Sequence, residues 1–244
     1  MTDRLTKYIM KPQITDKQGF TLIELLVAIT MFGVVATIVY SSLNAILSRT
    51  NAIARASDSF EMAKNCMERM TFDLTGIYVE PFPLYSPPGF SGPDDPYRFL
   101  AKIDLAGGNR FSTLRFTSTE HLGLSGFADS RLAEIRYYVT ASDDPDQGYL
   151  LRRADTAFPY DIDQNAQLSD NDPIMCTNIV ALEFTFYDAE EKTEEDWDSD
   201  SDFYKNTTPV AVGIHLELAS GNNTRSFYTR VPLPVFRMAK KEGK

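Results

Sequence analysis

Hydrophobic and polar positions follow three successive patterns along this chain. From Leu25 to Ser48 there are 24 residues without a charge. As a helix that run is about 36 Å long, against a bilayer hydrocarbon core of about 30 Å. The pattern then becomes amphipathic. Ile53, Ala56, Phe60, Ala63, Met67, Met70, Leu74 and Ile77 recur at intervals of three and four, one apolar stripe on a helix. Arg55, Asp58, Glu61, Lys64, Glu68 and Asp73 fill the remaining face. Gly76 is a stop signal, and Pro81 and Pro83 forbid continuation. Residues 20–77 therefore read as one helix of about 87 Å. The stripe covers fewer than four heptads, so it is expected to pack on the chain's own sheet rather than in a coiled coil.

Residues 78–96 hold six prolines and two glycines and read as a loop. Beyond them the period is two. Phe111, Leu114 and Phe116 mark a strand after the Gly107-Gly108-Asn109 turn, and Leu132–Thr140 carries Ile135, Tyr137 and Val139 on one face. Tyr149–Ala154 reads as a returning strand, Ile179–Tyr187 alternates, and Val210–Leu218 with Arg225–Val231 forms a hairpin over Gly221-Asn222-Asn223. The expected fold class is α+β: one long N-terminal helix packed on antiparallel sheet. The Arg237–Lys244 end is polar and basic and reads as a frayed tail.

Charge refines this picture. Residues 1–19 carry Arg4, Lys7, Lys11 and Lys17 against Asp3 and Asp16, so the positive-inside rule keeps this terminus in the cytoplasm and sends the remainder across the inner membrane to the periplasm. The apolar run is too long for a removable secretory signal, and no small-residue cleavage site follows it. The net charge of −10 argues against general nucleic-acid binding, which needs clustered cations.

Gly19-Phe20-Thr21-Leu22-Ile23-Glu24 joins the basic leader to the apolar run. A lone carboxylate at the edge of an apolar helix is expensive to bury and marks function. This junction resembles the class III signal of type IV pilins and type II secretion pseudopilins. The resemblance implies that a prepilin peptidase cuts after Gly19, that Phe20 becomes N-methylphenylalanine, and that Glu24, fifth in the mature chain, registers the next subunit by neutralising an N-terminal amine. That amine, about one helical turn away on the same chain or supplied by a neighbour, is mostly cationic at neutral pH.

Further segments resemble the J-type minor pseudopilin of type II secretion: Met67-Glu68-Arg69 with Phe72-Asp73-Leu74, then Ile135-Arg136-Tyr137-Tyr138, Leu150-Leu151-Arg152-Arg153, Leu182–Asp188 with Trp197 following, and Pro209–Val212. Phe72 departs from the family's usual charged residue there. A minor type IV pilin of the W type is the alternative. The J-type resemblance implies a pilin-like fold and a non-enzymatic role in the tip complex that primes the pseudopilus for export of folded proteins through the outer membrane. Its partners would be the I- and K-type minor pseudopilins, the major pseudopilin and the prepilin peptidase. The corresponding organisation is a leader at 1–19, a transmembrane half-helix at 20–48, an amphipathic half at 49–77 and a periplasmic β-rich domain at 78–244.

Other chemistry is sparse. Asp188–Asp202 holds nine acidic residues around Trp197. Oxygen-rich loops of this kind attract calcium, but the run lacks the glycine of an EF-hand loop, so no metal or cofactor is assigned and the run is expected to be a solvated loop, disordered by charge repulsion without a cation or basic partner. Asp163, Asp170 and Asp172 form a similarly ambiguous segment. Cys66 on the helix and Cys176 before a strand are a possible disulfide or two buried thiols. His121 and His215 are the only histidines; His215 falls within a strand and reads as structural, and no catalytic motif is present.

Overall fold

The computed structural model describes residues 19–80, 95–120, 131–144, 147–157, 168–221 and 223–238, with the side chains of 51–56 left aside. The leader up to residue 18, most of the proline-rich loop, Ile53, Ala56, His121, Asp161, Asp163 and Asn222 therefore lie outside the described side chains. The chain divides into two compact units, Met1–Asn51 and Ala52–Lys244. One helix, α1, runs Leu22–Thr75. It ends where Gly76 donates its N–H to the Phe72 carbonyl and Ile77 turns away into a bridge with Ser118.

In the second unit the strands are β1 (Leu100–Ala106), β2 (Asn109–Ser118), β3 (Ala133–Ala141), β4 (Tyr149–Ala157), β5 (Ile174–Tyr187), β6 (Thr193–Glu194), β7 (Trp197–Asp198), β8 (Ala211–Ser220) and β9 (Asn223–Pro232). They form one antiparallel sheet in the order β7-β1-β2-β3-β4-β5-β8-β9, with β6 paired to β5. Neighbours are mostly consecutive in the sequence. Gly107 and Gly108 form the two-residue turn between β1 and β2 with φ of +53° and +87°. Both values fall where residues with a Cβ are disfavoured, and a turn of this hand matches the twist of the strands it joins.

One core lies between the helix stripe and the sheet. Ala63, Cys66, Met67, Met70, Leu74 and Ile77 bury against Phe116, Ile135, Tyr137, Leu151, Leu182, Phe184, Ile214 and Leu216. Two expectations for the helix need correction. Phe60, assigned to the buried stripe, is 52% exposed and rests one edge on Phe227 of β9. Asp73, assigned to the solvated face, is fully buried.

Three more readings are revised. β1 forms before the Gly107 turn, where only β2 was expected. The acidic run Asp188–Asp202 is ordered: the Asp188 carboxylate accepts the Glu190 and Lys192 N–H groups, Arg98 clamps Asp198 at 2.7 and 2.8 Å, and Trp197 is buried, stacked on Tyr204 with its indole N–H donating to the Thr207 carbonyl. These turns and cross-strand cations offset the repulsion that composition alone suggested. Finally, Arg237 is no part of a frayed tail. It is buried, 2.6 Å from buried Asp95, and its backbone N–H donates to Thr208 Oγ1.

Candidate functional site

The first unit presents Gly19 and Phe20 immediately before α1. Phe20 is 88% exposed, and nothing approaches Gly19 within 4 Å of where a Cβ would stand. Helix entry is set by a reciprocal cap. Thr21 donates from its backbone N–H (3.1 Å) and from Oγ1 (3.0 Å) to Glu24 Oε2, while Thr21 Oγ1 accepts the Glu24 N–H at 3.3 Å. This is the Ser/Thr-x-x-Glu capping box, in which two otherwise unpaired donors of the first turn are satisfied and a carboxylate sits at the positive end of the helix dipole. The Thr21-x-x-Glu24 spacing carries that signal in the sequence.

From Leu22 to Thr50 the helix is long and apolar enough to cross a membrane, and none of it is buried within the protein. Several of its hydroxyls turn inward on the helix itself. Thr30 donates to the Val27 carbonyl, Thr37 to Gly33, Ser41 to Ile38 and Ser48 to Ala45, at 2.8–3.1 Å. Such back-bonding satisfies each hydroxyl without a partner from water, which is what a hydrocarbon environment requires.

The second unit contains a buried charge network at the end of α1. The Asp73 carboxylate accepts from Arg153 Nε at 2.7 Å, Arg153 Nη2 at 3.3 Å, Tyr137 Oη at 2.5 Å and Arg69 Nη2 at 2.5 Å. Arg153 also donates to Asp155 at 2.8 Å, and Arg69 to the Glu120 carbonyl. Asp73, Tyr137 and Arg153 are all fully buried. Burial alone would pull the Arg153 guanidinium down, but its hydrogen bond to Asp73, the Asp73 charge and the bond to Asp155 outweigh that and raise it. Burial, then the charge of Asp73 and the hydrogen bond to it, pushes the Tyr137 phenol well above its ordinary value. The network thus holds a helix-borne anion between cations, and ties the last turns of α1 to β3 and β4.

Cys66 of α1 and Cys176 of β5 form a disulfide with Cα atoms 6.3 Å apart, a second tie between helix and sheet. Among the described residues no group of three or more His, Cys, Asp or Glu side chains is arranged to hold a metal. His215 of β8 bridges strands on the open face: Nδ1 is 3.0 Å from Glu183 on β5 and Nε2 is 2.7 Å from Ser226 on β9. The same Nε2 is 3.5 Å from Glu217, so the imidazole clasps three strands in contact with water.

Residues 14–40 match the prokaryotic N-terminal methylation motif, and residues 41–229 match the family described as type II secretion system (T2SS), protein J. The chain belongs to the type II secretion system protein J family. It is a J-type minor pseudopilin, built on the α+β pilin-like fold, and its apolar N-terminal helix fits a transmembrane anchor. The family is structural rather than catalytic. No curated protein matches the chain in a direct sequence comparison.

Three of the segments that carried the J-type resemblance meet in the buried network. Asp73 comes from the helix-end segment, Tyr137 from the Ile135–Tyr138 strand and Arg153 from the Leu150–Arg153 strand. Sequence reading singled out the segments but not their convergence, because Asp73 and Arg153 are 80 positions apart.

Proposed function

We propose that this J-type pseudopilin is inserted with residues 1–19 as a cytoplasmic leader, is cleaved after Gly19 by the prepilin peptidase and methylated on Phe20, and then takes its place with the I- and K-type minor pseudopilins at the tip of the pseudopilus. In that reading residues 20–48 anchor the subunit in the inner membrane. Residues 49–77 and 78–244 form its periplasmic part, and the tip complex primes growth of the major pseudopilin so that folded proteins are driven through the outer membrane.

The observation that carries the reading is the exposed Gly19-Phe20 pair directly ahead of a capped apolar helix, in a chain of the J family. Cleavage between them leaves an amine one residue before the Thr21 cap. The Glu24 carboxylate then stands about one turn from a cation. Its cost at the edge of the span, below the about 3 kcal/mol of an unpaired acidic side chain at the helix centre, falls when that amine or a neighbouring subunit's amine pairs with it. Thr21 lowers the cost in the subunit before assembly by donating two hydrogen bonds to the same carboxylate.

Mass spectrometry of the chain isolated from host membranes tests the processing step. The expected mature N-terminus is Phe20 bearing one methyl group. An intact Met1 terminus, or a cut at another bond, overturns it.

A further inference from the structure

The two edges of the sheet are treated differently. The outer edge of β1 is closed by β7 through Trp197 and Asp198, and the end of β5 is covered by β6. The opposite edge is β9, ten residues long and paired on one side only. Its register with β8 runs unbroken from Ser220↔Asn223 to Ala211↔Pro232, without a bulge. Natural sheets blunt such edges with bulges, prolines, very short strands or covering loops. Here the one proline of the strand, Pro232, stands at its end.

The pairing fixes which backbone groups are free. Beyond the strand, Leu233 donates to the Val210 carbonyl, so the odd-numbered positions of β9 face β8. In an antiparallel ladder the residues between them direct N–H and C=O away from the partner. Thr224, Ser226, Tyr228 and Arg230 therefore present eight backbone groups along about 20 Å of open edge. All four residues are exposed. Among the described residues no backbone partner from another segment meets them.

The flanking side chains form two distinct walls. On the helix side, Phe60 leaves half its surface open beside Phe227, ring centroids 6.0 Å apart, and Arg225 is exposed without an ion-pair partner among the described residues. On the outer side, Arg230 lies over the Tyr187 ring at 3.9 Å and pairs with Glu191, and the Tyr228 and Tyr187 hydroxyls are 3.0 Å apart. Gly213 leaves room for those rings, because the Tyr228 hydroxyl already stands 3.1 Å from where its Cβ would be.

Backbone pairing along a regular edge, with side-chain pockets alternating on its two faces, is how one chain accepts a strand from another. We propose that the β9 edge receives an extended, carboxylate-bearing segment of another pilin-like subunit, which joins the sheet as an added strand beside Thr224–Arg230. Apolar residues of that segment would meet Phe60 and Phe227, and a carboxylate would pair with Arg225. Charge selects this occupant over the two nearer ones. β9 contains two arginines and no carboxylate, so a second β9 would set four guanidinium groups on one seam. The chain's own C-terminal residues 239–244 carry three lysines against one glutamate and are equally mismatched.

This proposal rests on the pseudopilus reading, and the experiment separates the two. The full-length chain is purified in detergent with the I- and K-type pseudopilins of the same host, and amide hydrogen exchange is followed residue by residue. With those subunits at about 100 times their Kd, the amides of 224, 226, 228 and 230 should slow about 100-fold, while those of 225, 227 and 229, already bonded to β8, stay as they were. Thr224→Pro removes one outward donor without touching the β8 ladder and should weaken subunit binding about tenfold; Arg225→Glu, which leaves the backbone alone, should weaken it as well. If the complex forms and the four outward amides exchange as in the free chain, the edge proposal fails and the pseudopilus reading stands. If protection arises in the chain alone as its concentration rises, the occupant is a second copy and the proposal fails. If neither subunit binds, both fail together.

Discussion

Replacing Asp73 with asparagine removes one charge and few atoms from the centre of the buried network. The carboxylate accepts from Arg153, Tyr137 and Arg69, and Arg153 is fully buried with only Asp155 left to balance it. Breaking a buried ion pair from one side costs about 3–5 kcal/mol, because the remaining charge stays desolvated. For a domain near 190 residues each kcal/mol is worth about 2–4 °C in Tm, so Asp73→Asn should lower Tm by roughly 6–20 °C. The assay is urea and thermal unfolding of the chain starting at Ala52, followed by the fluorescence of Trp197, the single tryptophan and a buried one. Replacing Arg153 by leucine in the Asp73→Asn chain should recover part of the loss, since the fully buried guanidinium is then gone. A cost below about 1 kcal/mol, the range of solvated pairs, would refute the account of Asp73 as the anion that locks α1 to the sheet.

The Cys66–Cys176 bridge closes a separation of 110 residues, so Cys176→Ala or reduction should lower unfolding free energy by about 4 kcal/mol, read from denaturant curves with and without reductant. Arg237→Met leaves the buried Asp95 carboxylate without its cation, held by the Tyr97 N–H; it should cost about 3 kcal/mol in the same assay, whereas a solvated tail residue would cost nothing measurable. Tyr137 and Tyr138 are raised above the ordinary value of 10.0, both foremost by burial, and Tyr204 is pushed up to about 12, first by burial and then by Glu194 and Asp196. The folded state therefore holds protons that the unfolded chain releases near pH 10, so stability is full below that pH and falls as pH rises beyond it; Tyr138→Phe should flatten the slope in unfolding curves taken between about pH 9 and 12.

Local periodicity made much of the fold legible. The stripe from Ala63 to Ile77 and the alternation of β3 and β8 each record one buried face, and one face is all that spacing reports. What it could not report was a polar residue buried because a distant partner comes to it. Asp73 sits where a helical wheel places solvent, and only the arrival of Arg153 from β4 makes it interior. Phe60 fails in the opposite sense: it holds a stripe position, but the sheet ends at β9 and cannot cover it. Strand β1 was missed because Lys102 and Asp104 interrupt a short, weakly apolar run at the sheet's margin. The acidic run was misread because charge counts ignore Arg98, 100 positions away from Asp198. In the N-terminal unit the apolar span was plain from composition and the Gly19-Phe20 junction from its resemblance to the class III signal, while the Thr21 cap was hidden behind the more conspicuous Glu24.

The extracellular proteome of a host strain lacking this gene tests the central claim most directly. The account predicts that a defined set of folded proteins accumulates in the periplasm, that the wild-type gene restores their release, and that a Glu24→Ala gene, whose product folds normally, restores it poorly. Unchanged secretion in the deletion strain would contradict the assignment of this subunit to protein export.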